Sequence, residues 1–149
     1  MERNPGGTLF TMRERDLVES ARVARLATVR PDGRPHLVPV TFAFAAPDVL
    51  VTAVDHKPKR TSALQRLRNV EAHPQVSLLV DHYDDDWAAL WWVRMDATAH
   101  VVRDGASRSR LAEPLVHKYE AYAPTPPAGP VVVMTVHTVV SWHVEERGG

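Results

Sequence analysis

Three basic residues close together in the sequence have the chemistry to bind a phosphate group. Lys57, Lys59 and Arg60 lie in a short loop between a predicted strand and a predicted helix. At a helix N-terminus, free backbone N–H groups and the positive end of the helix dipole favour an anion. Pro58 stiffens the loop. The pattern predicts a phosphate site; the alternative is a solvated basic turn, because surface Lys and Arg are common.

Two other groups of residues have chemical potential. His36 lies on a predicted strand and is a candidate proton donor, although a lone strand histidine is more often structural. His82 and the following run Asp84-Asp85-Asp86 carry ligands for a hard cation, but the run lacks the glycine that a calcium loop needs for its sharp turn. We expect a solvated acidic loop and no metal site there.

Composition limits the class of protein. A chain of 149 residues with 44% hydrophobic content is the size of one domain. The formal net charge of zero argues against binding to nucleic acid or an anionic membrane. The absence of cysteine excludes disulfides and thiolate chemistry. No apolar N-terminal signal region and no run of membrane-spanning length occur, so we expect a cytoplasmic protein.

Helical periodicity predicts a first and a last helix. The first runs from Met12 to Ser20, because Thr11 and Glu14 have the spacing of a capping box. The last covers Ser107 to Ala121, with an interruption at Pro114.

A central helix is predicted from Thr61 to Asn69. Ser62 and Gln65 have capping-box spacing, and Leu64 and Leu67 are expected to form its buried face. This helix would present the basic loop at its N-terminus.

The remaining elements are predicted strands, which indicate a mainly β fold with few helices, a six-stranded antiparallel barrel. They cover Leu26–Val29, His36–Phe44, Val49–Val54, Val76–Tyr83, Ala89–Arg103 and Val131–Val144.

Three strand details bear on the site. Both faces of the second strand are largely apolar, and Pro39 marks a bulge, an edge, or a place where something other than a strand lies alongside. Trp91 and Trp92 are expected on opposite faces of the fifth strand. One apolar face is predicted for the last strand, formed by Val132, Met134, Val136, Val140, Trp142 and Val144.

The order of these parts resembles the pyridoxamine 5'-phosphate oxidase-like split-barrel family, and within it the actinobacterial branch that uses the deazaflavin coenzyme F420. The resemblance is strong from Ala21 to Val102 and weaker in the last strand. Its motifs are Leu26-Ala27-Thr28-Val29 with Asp32-Gly33-Arg34-Pro35-His36, Val51-Thr52 before Lys57-Pro58-Lys59, Leu67-Arg68-Asn69 with Pro74, and Val80-Asp81 before Asp86-Trp87.

The resemblance implies a split barrel of the FMN-binding type and a set of cofactor contacts. Basic residues after the third strand would hold the cofactor phosphate, here Lys57 and Lys59 with Arg60 adjacent. The ring would lie along the second strand and next to the third. Those strands would contribute Val38, Pro39, Val40 and Thr52.

The family also implies a homodimer with cofactor sites at the subunit interface, so that Trp87 would be offered by the partner. Arg66 and Arg68 cannot be assigned a role by analogy, because the helix between Lys59 and Pro74 is longer than in the shorter relatives. Either is a candidate contact for the acidic tail of the deazaflavin, which we expect to bind more tightly than FMN. Three functions stay open: an F420-dependent reductase of small unsaturated or aromatic molecules, an FMN oxidoreductase, and a cofactor-binding protein without turnover.

Overall fold

A computed structural model describes residues 7–54 and 61–144, with side chains omitted at 61–63. Its three helices are α1 (Met12–Ser20), α2 (Thr61–Ala72) and α3 (Gly105–Lys118). Short 3-10 turns cover Trp87–Ala89 and Glu120–Tyr122. The strands are β1 (Ala24–Val29), β2 (Pro35–Val40), β3 (Ala43–Ala46), β4 (Val49–Ala53), β5 (Gln75–His82), β6 (Trp91–Val102) and β7 (Val131–His143).

The strands form one antiparallel sheet in the order β2-β1-β5-β6-β7-β4-β3. Its inner face encloses the main core, to which α1 and α2 contribute Val18, Leu67 and Val70. The predicted mainly β split barrel is confirmed. The described chain has seven strands instead of the expected six, because the predicted second strand is divided.

The division occurs at Thr41 and Phe42, where a side chain replaces a neighbouring strand. The Tyr119 hydroxyl accepts a hydrogen bond from the Phe42 N–H at 3.2 Å. It donates to the Arg22 carbonyl at 2.9 Å, with the Phe42 carbonyl a second acceptor at 3.2 Å. Because this hydroxyl occupies the backbone groups of Phe42, the ladder of β2 cannot continue into β3. Pro39 lies on β2, at an edge of the sheet, as one of the three alternatives predicted.

We expect Tyr119→Phe to lower the free energy of unfolding by about 2–3 kcal/mol, because buried backbone groups lose their partner. Tyr122→Phe is the matched control. The Tyr122 hydroxyl bonds only to the Thr41 side chain among the described residues, at 2.9 Å in a partly exposed position, so it should change stability by less than about 1 kcal/mol. Chemical denaturation measures both; equal effects would contradict the role of the Tyr119 hydroxyl.

The first helix is confirmed at its predicted bounds. Thr11 Oγ1 accepts the Glu14 N–H at 3.1 Å, and Glu14 Oε1 accepts the Thr11 N–H at 2.9 Å, which completes the capping box. Glu14 also accepts the Ser141 hydroxyl at 2.6 Å through Oε2, so the cap fixes α1 to β7.

The other helices differ from their predictions. The capping box predicted at Ser62 lies outside the described side chains. Helix α2 spans Thr61–Ala72, so it ends beyond the predicted Asn69, and the Gln65 amide bonds to Asn69. Leu64 is exposed, since Leu67 and Val70 form the buried face. Pro114 lies inside α3 and does not interrupt it. None of the described helices combines the length and apolar character needed to span a membrane.

The single apolar face predicted for β7 is also wrong. Asp96 of β6 pairs with Thr138 of β7, and the next residue, Ala97, pairs with Val136. His137 is therefore an extra residue in a bulge. The extra residue reverses the side-chain alternation. Val132, Met134 and Val136 face the core, whereas Val140 and Trp142 lie on the outer face.

The outer face of the sheet is only half covered within the described chain. Helix α3 packs on β3, β4 and β7 through Ala112 and Leu115. The open outer face, formed by β2, β1, β5, β6 and the end of β7, carries exposed apolar side chains and a groove of about 500 Å³. Trp91 and Trp92 lie on opposite faces as predicted: Trp91 packs on the core and Trp92 lines the groove. The defining residues of this face are Arg25, Ala27, Leu37, Leu79, Asp81, Trp92, Arg94, Val140 and Trp142.

Lys118, at the end of α3, has its ammonium group 3.8 Å from the Phe42 ring centroid, and Nζ has no hydrogen-bond partner among the described residues. Burial, followed by the nearby positive charge of Arg22, lowers the pKa of Lys118 to about 8. The folded protein therefore binds this proton less tightly than the unfolded chain does. Consequently, stability is expected to rise as the pH increases from about 8 towards the ordinary lysine pKa of 10.5.

We expect that rise to be about 1 kcal/mol, since the half-buried side chain is partly screened by solvent. Lys118→Met should lack it. The measurement is the unfolding free energy of both proteins from pH 7.5 to 10.5, and the difference between the two curves isolates Lys118 from other titrating groups. Parallel curves would contradict the prediction.

Candidate functional site

A polar network lies under α2, where the helix crosses the inner face of the sheet. Gln65 donates to Asn69 Oδ1 at 2.7 Å, and Asn69 donates to Thr28 Oγ1 of β1 at 2.9 Å. Thr28 is paired in register with His36 of β2. Directly opposite residues in an antiparallel pair project on the same face of the sheet. The network therefore places His36 beside the contact between Asn69 and Thr28.

Arg66 lies three residues before Asn69, a spacing that puts both on one side of α2. Its Nε and the Nδ1 of His36 are buried, and neither has a hydrogen-bond partner among the described residues. We call the pair Arg66 and His36 the Arg66 site. In a folded protein such groups are normally paired, so two unpartnered nitrogens near each other form a candidate ligand site.

The electrostatics of the Arg66 site are uniformly positive. Burial lowers the pKa of the Arg66 guanidinium. Burial also lowers the pKa of His36, and the positive charges of Arg30 and Arg66 lower it further. No carboxylate is paired with Arg66 or His36 in the described part of the chain. A partly buried cation without a counter-charge among the described residues is unfavourable, and an anion such as phosphate would compensate it.

The 3-10 turn after α3 closes another side of this region. Tyr122 bonds to Thr41 at 2.9 Å and packs edge-on against Tyr119 with ring centroids 5.9 Å apart. Among the described residues, Tyr122 is also the one whose charge raises the pKa of Arg66, against the larger effect of burial. The region around Arg66 is thus bounded by residues from α2, β1, β2 and this turn.

The structure divides the predicted cofactor residues into three groups. Lys57, Lys59 and Arg60 lie outside the described residues, so their phosphate site stays a prediction. On β2, Val40 is buried, Val38 is half-buried and Pro39 is exposed on the open outer face. Leu37 is exposed there as well, so one of the two apolar faces of this strand is open within the described part of the chain.

Thr52 and Trp87 occupy different places. Thr52 is buried on β4, and its Oγ1 has no hydrogen-bond partner among the described residues. Thr52 Oγ1 thus resembles the two unpartnered nitrogens of the Arg66 site, but no described contact joins Thr52 to that site. Trp87 is 69% exposed and follows the end of β5 at His82. His82 lies about 17 Å along the strand from Ser77, which pairs with Ala27 next to Thr28. Within one chain Trp87 therefore does not belong to the Arg66 site.

The acidic run near Trp87 stabilises its own turn. Asp84 Oδ1 accepts the Asp86 N–H at 2.8 Å, and Asp86 Oδ1 accepts the Ala88 N–H at 3.1 Å as the cap of the 3-10 turn. Local turn geometry accounts for both carboxylates.

Comparison with known proteins identifies the family. The sequence profile of the family described as pyridoxamine 5'-phosphate oxidase matches residues 10–143. The chain belongs to this family. No curated protein matches it. Its fold is one that flavin-type and deazaflavin-type cofactor-binding proteins share, as the similar structures indicate.

Three solved structures illustrate the likeness. An F420 reductase is 26% identical, with a TM-score of 0.61 over 92% of this chain and 98% of that one. A conserved hypothetical protein from Mycobacterium tuberculosis has a TM-score of 0.72 at 21% identity, covering 99% and 98% of the two chains. A FAD-binding protein from Mesorhizobium loti has a TM-score of 0.68 at 17% identity, covering 89% and 94%. The last two likenesses concern the fold alone.

Proposed function

We propose that the protein is an F420-dependent oxidoreductase that reduces a small unsaturated or aromatic molecule. The observation that carries the proposal is the pair of orphaned, buried nitrogens at the Arg66 site, which suits a cofactor phosphate. Family membership and the similarity to an F420 reductase favour a deazaflavin. Both FMN and FAD also carry phosphate, and an FMN oxidoreductase and a binding protein without turnover are the alternatives.

In this proposal the residues of the chain bind and orient the cofactor. Arg66 and His36 hold its phosphate, and Val38 and Val40 of β2 supply an apolar wall. Thr52 Oγ1 is a further donor for a polar cofactor atom. A bound deazaflavin supplies hydride transfer, which needs accurate placement of the substrate and exclusion of water. His36 is thereby assigned to phosphate binding and not to proton donation to the substrate.

We also propose that the protein is a homodimer formed through the open outer face. Trp92 and Trp142 are cross-strand neighbours there, and ion pairs Arg25 to Asp81 (3.3 Å) and Arg94 to Asp96 (4.0 Å) flank them. An apolar centre with balanced charges suits contact with a second copy. Dimer formation would bring the Trp87 of one subunit to the partner's cofactor site.

The test is equilibrium binding of coenzyme F420, FMN, FAD and riboflavin to the purified protein at one salt concentration. The proposal expects F420 to bind most tightly and riboflavin, which has no phosphate, to bind at least tenfold more weakly than FMN. Tighter binding of FMN than of F420 would favour the alternative oxidoreductase. Binding of cofactor without reduction of any substrate from a panel of enones, quinones and nitroaromatics would favour the protein without turnover.

Lys57→Ala and Lys59→Ala test the predicted phosphate contacts in the basic loop. Each should weaken binding by roughly tenfold if the loop completes the phosphate site. Unchanged binding by both variants, with loss in an Arg66 variant, would place the phosphate at Arg66 without the loop.

A further inference from the structure

We infer that His36 takes up a proton when the anionic group of a ligand binds at Arg66, so that ligand binding and protonation reinforce each other. The identity of the physiological ligand rests on the function proposed above, but the coupling concerns any anion at this site. The ligand class is a phosphate ester or pyrophosphate; inorganic sulfate is the simplest probe.

The geometry leaves His36 free to respond. Its Nδ1 is buried and has no partner among the described residues, so no protein acceptor fixes the proton on the ring. His36 pairs in register with Thr28, whose hydroxyl accepts a hydrogen bond from Asn69 of α2. This pairing places the imidazole on the inner face of the sheet. Arg66 lies one turn earlier than Asn69 on the same helix. An anion bound by Arg66 would thus be adjacent to an imidazole without a partner.

The charges around His36 have one sign. Arg30, at the end of β1, and Arg66, on α2, both disfavour the imidazolium. Tyr122, from the turn after α3, acts on Arg66. Asp32, in the turn between β1 and β2, is paired with Arg34 at 3.0 Å. Among the described groups, none with negative charge holds a proton on His36, so the free site favours neutral histidine.

A bound anion reverses this balance. An opposite charge within 4–6 Å moves a pKa by about 1–3 units towards the charged form. The pKa of His36 should therefore be higher in the complex than in the free protein. By linkage, affinity for a non-titrating anion is greatest below the free-state pKa and decreases as the pH rises through the bound-state pKa. For each pH unit that separates the two pKa values, the affinity changes about tenfold across that interval.

The experiment follows the histidine ring protons by NMR from pH 5 to 8. Four samples are compared: the protein without ligand, with sulfate, with FAD and with riboflavin. FMN is less suitable because its phosphate titrates near pH 6. His36 is assigned by comparison with His36→Gln. We expect sulfate and FAD to raise the pKa of His36 by at least one pH unit and riboflavin to leave it unchanged. The ring-proton signals of His100, exposed on β6, are the internal control, and ligand should leave them unchanged.

Binding constants provide the second measurement. In the wild type, FAD affinity should rise at least fivefold from pH 7.5 to 5.5; His36→Gln should remove this rise, and His100→Gln should retain it. An unchanged pKa of His36 in protein saturated with FAD or sulfate would overturn the inference while leaving the proposed function standing. A rise of this pKa with sulfate, without binding of any flavin or deazaflavin, would support the inference and reject the proposed function.

Discussion

Replacing Arg66 by Met is expected to weaken cofactor binding by roughly 10- to 150-fold, because a hydrogen bond to a charged group contributes about 1.5–3 kcal/mol. The same change should not destabilise the cofactor-free protein. Met keeps most of the apolar stem, whereas the buried guanidinium Nε has no partner among the described residues. Removing such a charge should raise the free energy of unfolding by about 1 kcal/mol.

Arg68→Met is the matched control, two residues along the same helix. Arg68 is exposed and bonds to Gln65 Oε1 at 3.2 Å, outside the Arg66 site. Its replacement should change cofactor affinity less than threefold and stability by no more than about 0.5 kcal/mol. Titration with F420 and FMN measures the affinity, and urea denaturation of the cofactor-free proteins measures stability.

The combination of results identifies the role of Arg66. Weaker binding with unchanged or greater stability assigns Arg66 to the ligand. Equal loss of affinity in both variants would indicate a general electrostatic attraction by α2, which added salt would abolish. A large loss of stability in Arg66→Met would instead show that the guanidinium supports the fold, and the phosphate site would have to be sought elsewhere.

The architecture was predictable where local pattern and tertiary packing agree. The capping box of α1 depends on residues three apart, so the sequence contains its whole explanation. Alternation of apolar side chains identified the long strands β5, β6 and β7, and every predicted end lies within two residues of the observed one. In β5 and β6 one alternating face is buried, and the period alone reveals it.

The failures involve contacts between distant parts of the chain. Nothing in the sequence near His137 indicates the bulge that turns Val140 and Trp142 outward, because the bulge is defined by the pairing with β6. The end of β2 depends likewise on Tyr119, 77 residues away from Phe42. A single-residue insertion in a ladder reverses every later side chain, so one local miss changed the predicted face of half a strand.

The candidate site shows the same limit. Basic residues at the start of the central helix were predicted to bind phosphate from their type and spacing. Arg66 was named only as one of two candidates for the acidic tail of the deazaflavin. The burial of its Nε without a partner is revealed only by the packing of α2. The spacing of Arg66 and Asn69 was visible in the sequence, and it indicates a shared helix face. Its link to His36 requires the register of β1 and β2.

Leu37→Arg is expected to convert a dimer into a monomer. Leu37 is 67% exposed on the open outer face, so the substitution should leave the fold of each subunit intact. In a two-fold dimer every substitution occurs twice, and buried or facing like charges cost several kcal/mol. The dissociation constant of the dimer should therefore rise at least 100-fold. Light scattering during size-exclusion chromatography, with 16.6 kDa as the monomer mass, gives the oligomeric state.

Met12→Arg is the matched control, because Met12 is 64% exposed but lies on α1, away from the open outer face. It should remain a dimer.

If Trp87 of each subunit contacts the partner's cofactor, Leu37→Arg should also weaken cofactor binding, although Leu37 lies on the opposite side of β2 from His36. Trp87→Ala in the dimer should weaken binding by a similar factor, and adding Trp87→Ala to Leu37→Arg should then have no further effect. A dimeric Leu37→Arg protein would move the interface to another surface, and a monomeric wild type at micromolar concentration would reject the homodimer.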